Sequence, residues 1–268
     1  MQQSFLVFSG IITCLVWTAA ASIAQEENET PDPIRALIVS GGGSHDFPTQ
    51  LEILKAGIQE RTKPQIKWTV YLDESGRSDV EIPSLKNETW ATPFDIVIHH
   101  HCFTRVVDPG YIDQILKPHR EGVPAVIIHS SLFSFPTNDP RWEAFCGMKA
   151  VSHFPEAKVS VGLVEPRHAI TAGLSGWESP EEELYVLERI DPEVEVLAAS
   201  GIVGDAEPQP SMWTHQFGAA DARVFATSLG NDAAGLRVTA YLDAVSRGFL
   251  WSLGRSPEAD HREIDPAD

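Results

Sequence analysis

The sequence predicts an α/β domain with a mainly parallel central sheet, and three stretches carry that prediction. Residues 35–40, 94–98 and 123–128 are short continuous apolar runs, as expected of strands buried on both faces of a parallel sheet. Each breaks off at polar, titratable residues: Gly41-Gly42-Gly43-Ser44-His45-Asp46, His99-His100-His101-Cys102 and His129-Ser130-Ser131. Ligands of open α/β sheets bind outside the carboxyl ends of the strands. Three strands that each deliver a histidine there point to one shared cleft; the alternative is three unrelated surface histidines.

The elements come in order along the chain. Glycines 41–43 allow positive φ and close approach of backbone to a ligand or helix, and a Gly-rich turn opening a helix can hold an anion. The spacing matches neither a dinucleotide fingerprint nor a P-loop, and no Lys follows. Asp46 or Thr49 caps a helix in which Leu51, Leu54 and Ile58 share a face. Residues 66–72 read as a strand, 73–90 as a polar excursion and 94–99 as the next strand. Asp108-Pro109 starts a helix with an N-cap and Pro in its first position. Its residues Ile112, Ile115 and Leu116 face inward, and Pro118 or Gly122 ends it. The strand ending at His129 completes βαβ units with right-handed crossovers. In the second half, residues 140–145 read as a short helix. Residues 158–165, 183–189, 194–199 and 223–229 read as strands, with a turn at Asp191-Pro192. The last helix covers residues 236–253, with Val238, Tyr241, Leu242, Val245 and Phe249 at helical spacing and Gly254 as its stop. Neither an internal repeat nor a domain linker is visible.

The termini read differently. Residues 1–24 read as a secretory signal: an apolar stretch over 5–16, then small residues ending Ser22-Ile23-Ala24. No positive segment precedes it, so an uncleaved anchor is the alternative. Residues 25–33 form a flexible leader, 34–254 the folded domain and 255–268 a charged tail. The expected location is periplasmic or secreted, with no stable membrane association after cleavage. Export permits a disulfide, but Cys102 and Cys146 alone do not show one, and Cys146 reads as a small buried residue. The net charge of −18 argues against a nucleic-acid partner, since phosphate binding needs surplus Lys and Arg. Oligomeric state is not readable.

Several motifs in a fixed order carry a family resemblance. They are Gly41-Gly42-Gly43-Ser44-His45-Asp46, the strand ending His129-Ser130, Gly147 followed by His153-Phe154-Pro155, and residues 168–174 (HAITAGL). Glu182-Glu183-Leu184-Tyr185, Pro210 with Trp213, and Arg223-Val224-Phe225 with Leu229-Gly230 complete the set. Over residues 34–253 the chain resembles the ThuA-like (trehalose utilisation) domain of the class I glutamine amidotransferase-like superfamily. The resemblance implies a flavodoxin-like three-layer α/β sandwich and a role in carbohydrate metabolism. The chain departs from the family pattern in three places. His168-Ala169 replaces His-Pro, Glu182-Glu183 replaces Asp-Glu, and Gly230-Asn231 replaces Gly-His. His129 also stands where the superfamily's amidotransferases carry a nucleophilic Cys, so a thioester route lacks its nucleophile unless Cys102 serves. Ser130 is not set in a Gly-x-Ser-x-Gly elbow.

These residues define an expected site. His129, His45 and Glu183 are the expected catalytic groups, because a histidine suits proton transfer near neutral pH and a carboxylate can orient it. Gly42, Gly43, His101, Ser130, His153, Tyr185 and Trp213 are the expected substrate contacts, the two aromatics stacking on the C–H face of a sugar. His119 and His261 read as solvated, and His168 as a turn residue. The expected partner is a small-molecule carbohydrate, turned over by a hydrolase or lyase acting on a disaccharide or keto-sugar. No cofactor is expected. A divalent metal on imidazoles and a carboxylate, giving a metal-dependent hydrolase, is one alternative; a non-catalytic sugar-binding or accessory protein is the other.

Overall fold

A computed structural model describes residues 32–135, 139–203 and 207–264. The expected signal, most of the leader and the last four residues of the tail lie outside them. In chain order the fold runs β1 (Ile34–Gly42), α1 (Phe47–Arg61), β2 (Ile66–Asp73), β3 (Ile96–Cys102), α2 (Pro109–Arg120) and β4 (Ala125–Ile128). It continues with α3 (Pro140–Cys146), β5 (Met148–His153), β6 (Ala157–Leu163), β7 (Trp177–Glu182), β8 (Tyr185–Arg189) and β9 (Glu195–Ile202). The last elements are β10 (Gln209–Phe217), β11 (Ala222–Thr227), α4 (Ala233–Leu236), α5 (Thr239–Ser252) and α6 (Pro257–Asp260).

Nine strands form one mixed sheet in the order β2-β1-β3-β4-β11-β10-β9-β6-β7. The strands β2, β1, β3, β4 and β11 pair in parallel, as the apolar runs predict. The strands beyond β11 pair antiparallel, and β5 pairs with β8 in a separate two-stranded sheet. Sequence reading leaves out β5, β7 and β10. The reason is plainest in β7, an edge strand whose Trp-Glu-Ser-Pro-Glu-Glu run has no apolar alternation. Pro180 is exposed there, where its missing N–H costs no ladder bond.

Alternate side chains of each parallel strand feed two cores. Ala36, Ile38, Ile96, Ile98, Val126 and Ile128 pack under α1 and α5, against Leu54, Ile58, Val245 and Phe249. Leu37, Val39, Val97, Ala125 and Ile127 pack on the opposite face, under α2 and α3, against Ile112, Ile115, Trp142 and Phe145. This is the three-layer sandwich expected. Asp46 and Asp108 cap α1 and α2 as predicted. Pro118 does not stop α2 but lies inside it. The carbonyl it cannot reach, that of Gln114, takes the Trp90 indole N–H at 3.2 Å instead. Gly254, at φ 72°, ends α5. There Gly254 N–H bonds to Trp251 O and Arg255 N–H to Leu250 O, a Schellman arrangement. The tail does not run free from residue 255. Arg262 N–H donates to Arg61 O and Lys63 N–H to Asp260 O, so the segment docks beside the end of α1. His261 is buried there, against the expectation that it is solvated.

The same alternation sorts three consecutive histidines. His100 falls on the face of Ile96 and Ile98, and His99 and His101 on the face of Val97. His119, expected in solvent, is fully buried against them. Partner chemistry fixes the tautomers. His119 Nδ1 must donate to Val123 O (2.7 Å), so its Nε2 accepts from His99 Nε2 (3.1 Å). His99 Nδ1 then accepts from His101 Nε2 (3.1 Å), and His101 Nδ1 (2.7 Å) and His101 O (2.9 Å) share the one Ser134 hydroxyl proton. Every member is neutral, and the hydrogen bonds all run one way.

Burial pushes these imidazoles down: to about 3 for His100 and His101, to about 4 for His119, and well below the ordinary value for His99. A histidine depressed in the folded state stabilises the fold above its unfolded pKa, and that stability is lost as pH falls. Between pH 7.5 and 5 the loss is about 2 kcal/mol per buried histidine, from ~1.4 kcal/mol per pH unit below ~6.5. The melting temperature in scanning calorimetry is therefore expected to fall steeply from pH 7 to 5. A flat profile over that range contradicts the neutral chain.

Candidate functional site

The cleft forms where β1, β3 and β4 end. Gly41 and Gly42 have φ of 119° and 101°, and a Cβ on Gly42 would lie 2.3 Å from Cys102 O. These glycines let β1 pass close to β2 and β3 and do not cradle a ligand. Gly43 N–H is bonded to Cys102 O. Against the expectation that they touch substrate, neither Gly42 nor Gly43 lines the cleft: Cys102 backbone fills the space beside Gly42, and a Cβ on Gly43 would face the Ser78 side chain at 3.6 Å. The chain turns after them, at Ser44 (φ 82°), and brings His45 into the cleft.

His129 opens a 3-10 turn over His129–Phe133, directly after β4. Its φ of 41° is left-handed, an uncommon state for a side chain with a Cβ. The turn also supplies partners to β3 where β4 has veered away. Ser131 Oγ accepts from His101 N–H at 2.8 Å, and Ser134 Oγ from Phe103 N–H at 3.0 Å. His129 itself is only 1% exposed. Nδ1 donates to Ser228 O at 2.7 Å, so Nε2 accepts the Tyr185 O–H at 3.0 Å. Burial, with His45 beside it, lowers its pKa to about 3. Both ring nitrogens are therefore engaged and the ring is neutral. His129 is held rigidly, as expected, but beneath the cleft floor and without a free lone pair.

His45 has the free lone pair. Its Nδ1 donates to Asn231 O at 3.0 Å, which leaves Nε2 unprotonated. The ring is half-buried, edge-on to His129 at 5.3 Å and to Phe47 at 5.5 Å. Burial lowers its pKa, so it is neutral at pH 7. The Asn231 carbonyl also accepts from Gln50 Nε2 at 2.8 Å. Gln50 Oε1 accepts from His100 Nε2 at 3.0 Å, and His100 Nδ1 meets Ser40 Oγ at 3.3 Å. The middle histidine of the β3 run, His100, thus supports the cleft from below.

The cleft encloses about 290 Å³ and is lined by His45, Cys102, Ser130, Phe133, His153, Glu156, Glu183, Tyr185 and Asn231, with Ser44 and Thr104. Glu183 lies 3.9 Å from His129 Nε2 and 3.8 Å from His153 Nδ1. Tyr185 packs at 4.6 Å from the His129 ring and 4.7 Å from Phe133. Of the expected residues, His45, Ser130, His153, Glu183 and Tyr185 therefore come together, with His129 just beneath. His101 and Trp213 do not, and their expected substrate contacts are corrected. His101 belongs to the opposite core, and Trp213 is fully buried with its indole N–H on Cys146 O at 2.8 Å. His99, like His101, faces away from the cleft. Glu156, Phe133 and Asn231 join the site without having been expected there. Glu156 directly follows the His153-Phe154-Pro155 motif, and Asn231 replaces a family histidine; those are the only signals the sequence offers for them.

Cys102 and Cys146 are both free and buried. Burial raises the Cys102 pKa to about 11, so the thiol is protonated and a poor nucleophile. Among the described residues, no group of three His, Cys, Asp or Glu side chains is placed to hold a metal ion, and no helix is long and apolar enough to cross a membrane.

A family model described as trehalose utilisation, ThuA, matches residues 35–252. No curated protein sequence matches the chain. A solved ThuA-like protein of Parabacteroides merdae is 16% identical, with a TM-score of 0.67 over 88% of this chain and 94% of that one. A ThuA-like protein of Bacteroides uniformis is 14% identical, with a TM-score of 0.64 over 87% and 98%. A protein assigned as a GMP synthase component from Thermoplasma acidophilum is 13% identical, with a TM-score of 0.51 over 83% and 95%. At these identities the likeness shows the fold alone.

The geometry separates the two histidines by role. His129→Asn tolerates the left-handed backbone but strands Ser228 O or the Tyr185 hydroxyl. It is expected to cost about 1–3 kcal/mol in denaturant titration. Tyr185→Phe is expected to cost about 1 kcal/mol. His45→Asn, half-buried at the cleft wall, should cost less than His129→Asn; the reverse order would contradict the assignment.

Proposed function

Because the chain belongs to the ThuA (trehalose utilisation) family, we propose that this cleft takes an uncharged disaccharide or keto-sugar, with His45 Nε2 as the general base of a hydrolase or lyase. The observation that carries this reading is the hydrogen bond from His45 Nδ1 to Asn231 O. It fixes one tautomer, and a neutral imidazole with a directed lone pair can take a proton from a water or from the carbon beside a carbonyl. Glu183, on the cleft lining and 3.8 Å from His153 Nδ1, is the partner carboxyl group. Two carboxylates and no Lys or Arg line the space, so a phosphate or carboxylate on the sugar is disfavoured. Phe133 offers aromatic surface to a sugar ring, while Tyr185, expected to stack on the sugar, is buried behind it at 2% exposed. One observation favours a non-catalytic sugar-binding role instead: the His129 ring, at the superfamily's nucleophile position, has both nitrogens engaged. We further propose that the protein works in the periplasm or outside the cell, from the apolar stretch ending Ser22-Ile23-Ala24.

Product formation should be measured on a panel of neutral disaccharides and their keto forms. His45→Gln is expected to lose on the order of 10²-fold or more in rate while still binding. The base works in its neutral form, so kcat/KM should fall with acid only below the ordinary histidine value of ~6.5. Binding without turnover in the wild type selects the accessory role. Mass spectrometry of protein from the producing cell is expected to find an N-terminus near Gln25; intact Met1 on soluble protein rejects export by a cleaved signal.

A further inference from the structure

We propose that Glu182 is the positioning residue that sets the tautomer of His45, acting through the backbone of Asn231. The proposal rests on the reading of His45 as the base and supplies what holds it in that state. Glu182 is the last residue of β7 and is 1% exposed. Its carboxylate accepts Gly230 N–H on both oxygens (3.2 and 3.0 Å), Asn231 N–H at 3.0 Å and the Ser179 hydroxyl at 2.8 Å. No Lys or Arg pairs with it among the described residues. A carboxylate buried without a cation is costly unless hydrogen-bond donors satisfy it, and here two of them are the Gly230 and Asn231 amides in the loop after β11.

Holding those amides aims the next carbonyl. Asn231 C=O points back to the cleft wall, where it accepts from His45 Nδ1 and Gln50 Nε2. A carbonyl can only accept, so it forces the proton onto Nδ1 and leaves Nε2 as the base. The Asn231 side chain takes a separate task, donating to Glu156 Oε1 at 3.1 Å. The loop thus fixes a histidine with its backbone and a carboxylate with its side chain, and both fixtures depend on the Glu182 anchor.

The test uses the full chain labelled with ¹⁵N-histidine at pH 8, where Glu182, which burial raises to about 7, is ionised. Long-range ¹H–¹⁵N spectra report which His45 nitrogen carries the proton. Wild type should show Nδ1–H. Glu182→Gln places an amide N–H against the loop donors and should shift the ratio toward Nε2–H by roughly threefold to tenfold, the worth of one hydrogen bond. Glu182→Asp should recover part of the shift. Asn231→Ala keeps the backbone carbonyl and should leave the tautomer unchanged. If Glu182→Gln does not fold, Ser179→Ala removes one donor from the carboxylate and should give a smaller shift the same way. An unchanged tautomer in folded Glu182→Gln, or in Ser179→Ala where that variant decides, overturns the proposal. A shifted tautomer with sugar turnover unchanged keeps the positioning role and removes His45 as the base.

Discussion

A strand hydrogen-bonded to neighbours cannot choose which face each side chain takes, and β3 is governed by that constraint. Its register on β1 runs from Ile96 to Cys102 without a break. The two-residue period set by Ile96 and Ile98 therefore continues through the histidines. His100 goes to the α1 side, where it supports Gln50 and, through it, the Asn231 carbonyl. His99 and His101 go to the α2 side, where they can only be buried and neutral. One strand thus builds both the support under the cleft and the polar chain in the opposite core.

The cleft above is polar, yet most of its polarity is internally engaged. His129 is bonded to Ser228 and Tyr185, and the Asn231 amide to Glu156. What remains for a ligand includes the outward nitrogen of His45, the Glu183 carboxyl group, the Ser130 and Thr104 hydroxyls, His153 and the Phe133 ring. Such a set suits many weak hydrogen bonds to hydroxyls better than one strong ionic contact. It also resembles ordinary binding sites, in which a few polar groups on a rigid scaffold fix orientation.

The parallel half of the fold was legible because burial on both faces writes continuous apolar runs. The helix starts were legible because Asp46 and Asp108 cap them, the latter followed directly by Pro109. The antiparallel half was less so: β7 lies at an edge and carries charges where a core strand would carry Val or Ile. At the site, strand-end position located His45 and Ser130, and the family motif Glu182-Glu183-Leu184-Tyr185 located Glu183 and Tyr185. It could not say which histidine has a free nitrogen, because that depends on Asn231 and Ser228, both distant in sequence. Gly42 misled for a related reason. A glycine needed for a neighbouring strand and one needed for a ligand look the same until the neighbour is placed. Trp213 and His101 misled because aromatic rings fill cores at least as readily as they face sugars.

The pairing of β4 with β11 carries a consequence for how the chain is made. Ala125 lies opposite Val224 and Ile128 opposite Thr227, so the middle of the sheet closes only after β5 to β10 have been synthesised. Until then β4 presents a bare hydrogen-bonding edge with Val126 and Ile128 uncovered by α5, which is later still. Sheets joined by such distant partners form slowly and leave intermediates prone to sticking together. A ribosome that stalls, or a message that ends, before codon 227 releases a half-sheet with an open central edge. The quality of this protein in a cell therefore depends on its final third being made.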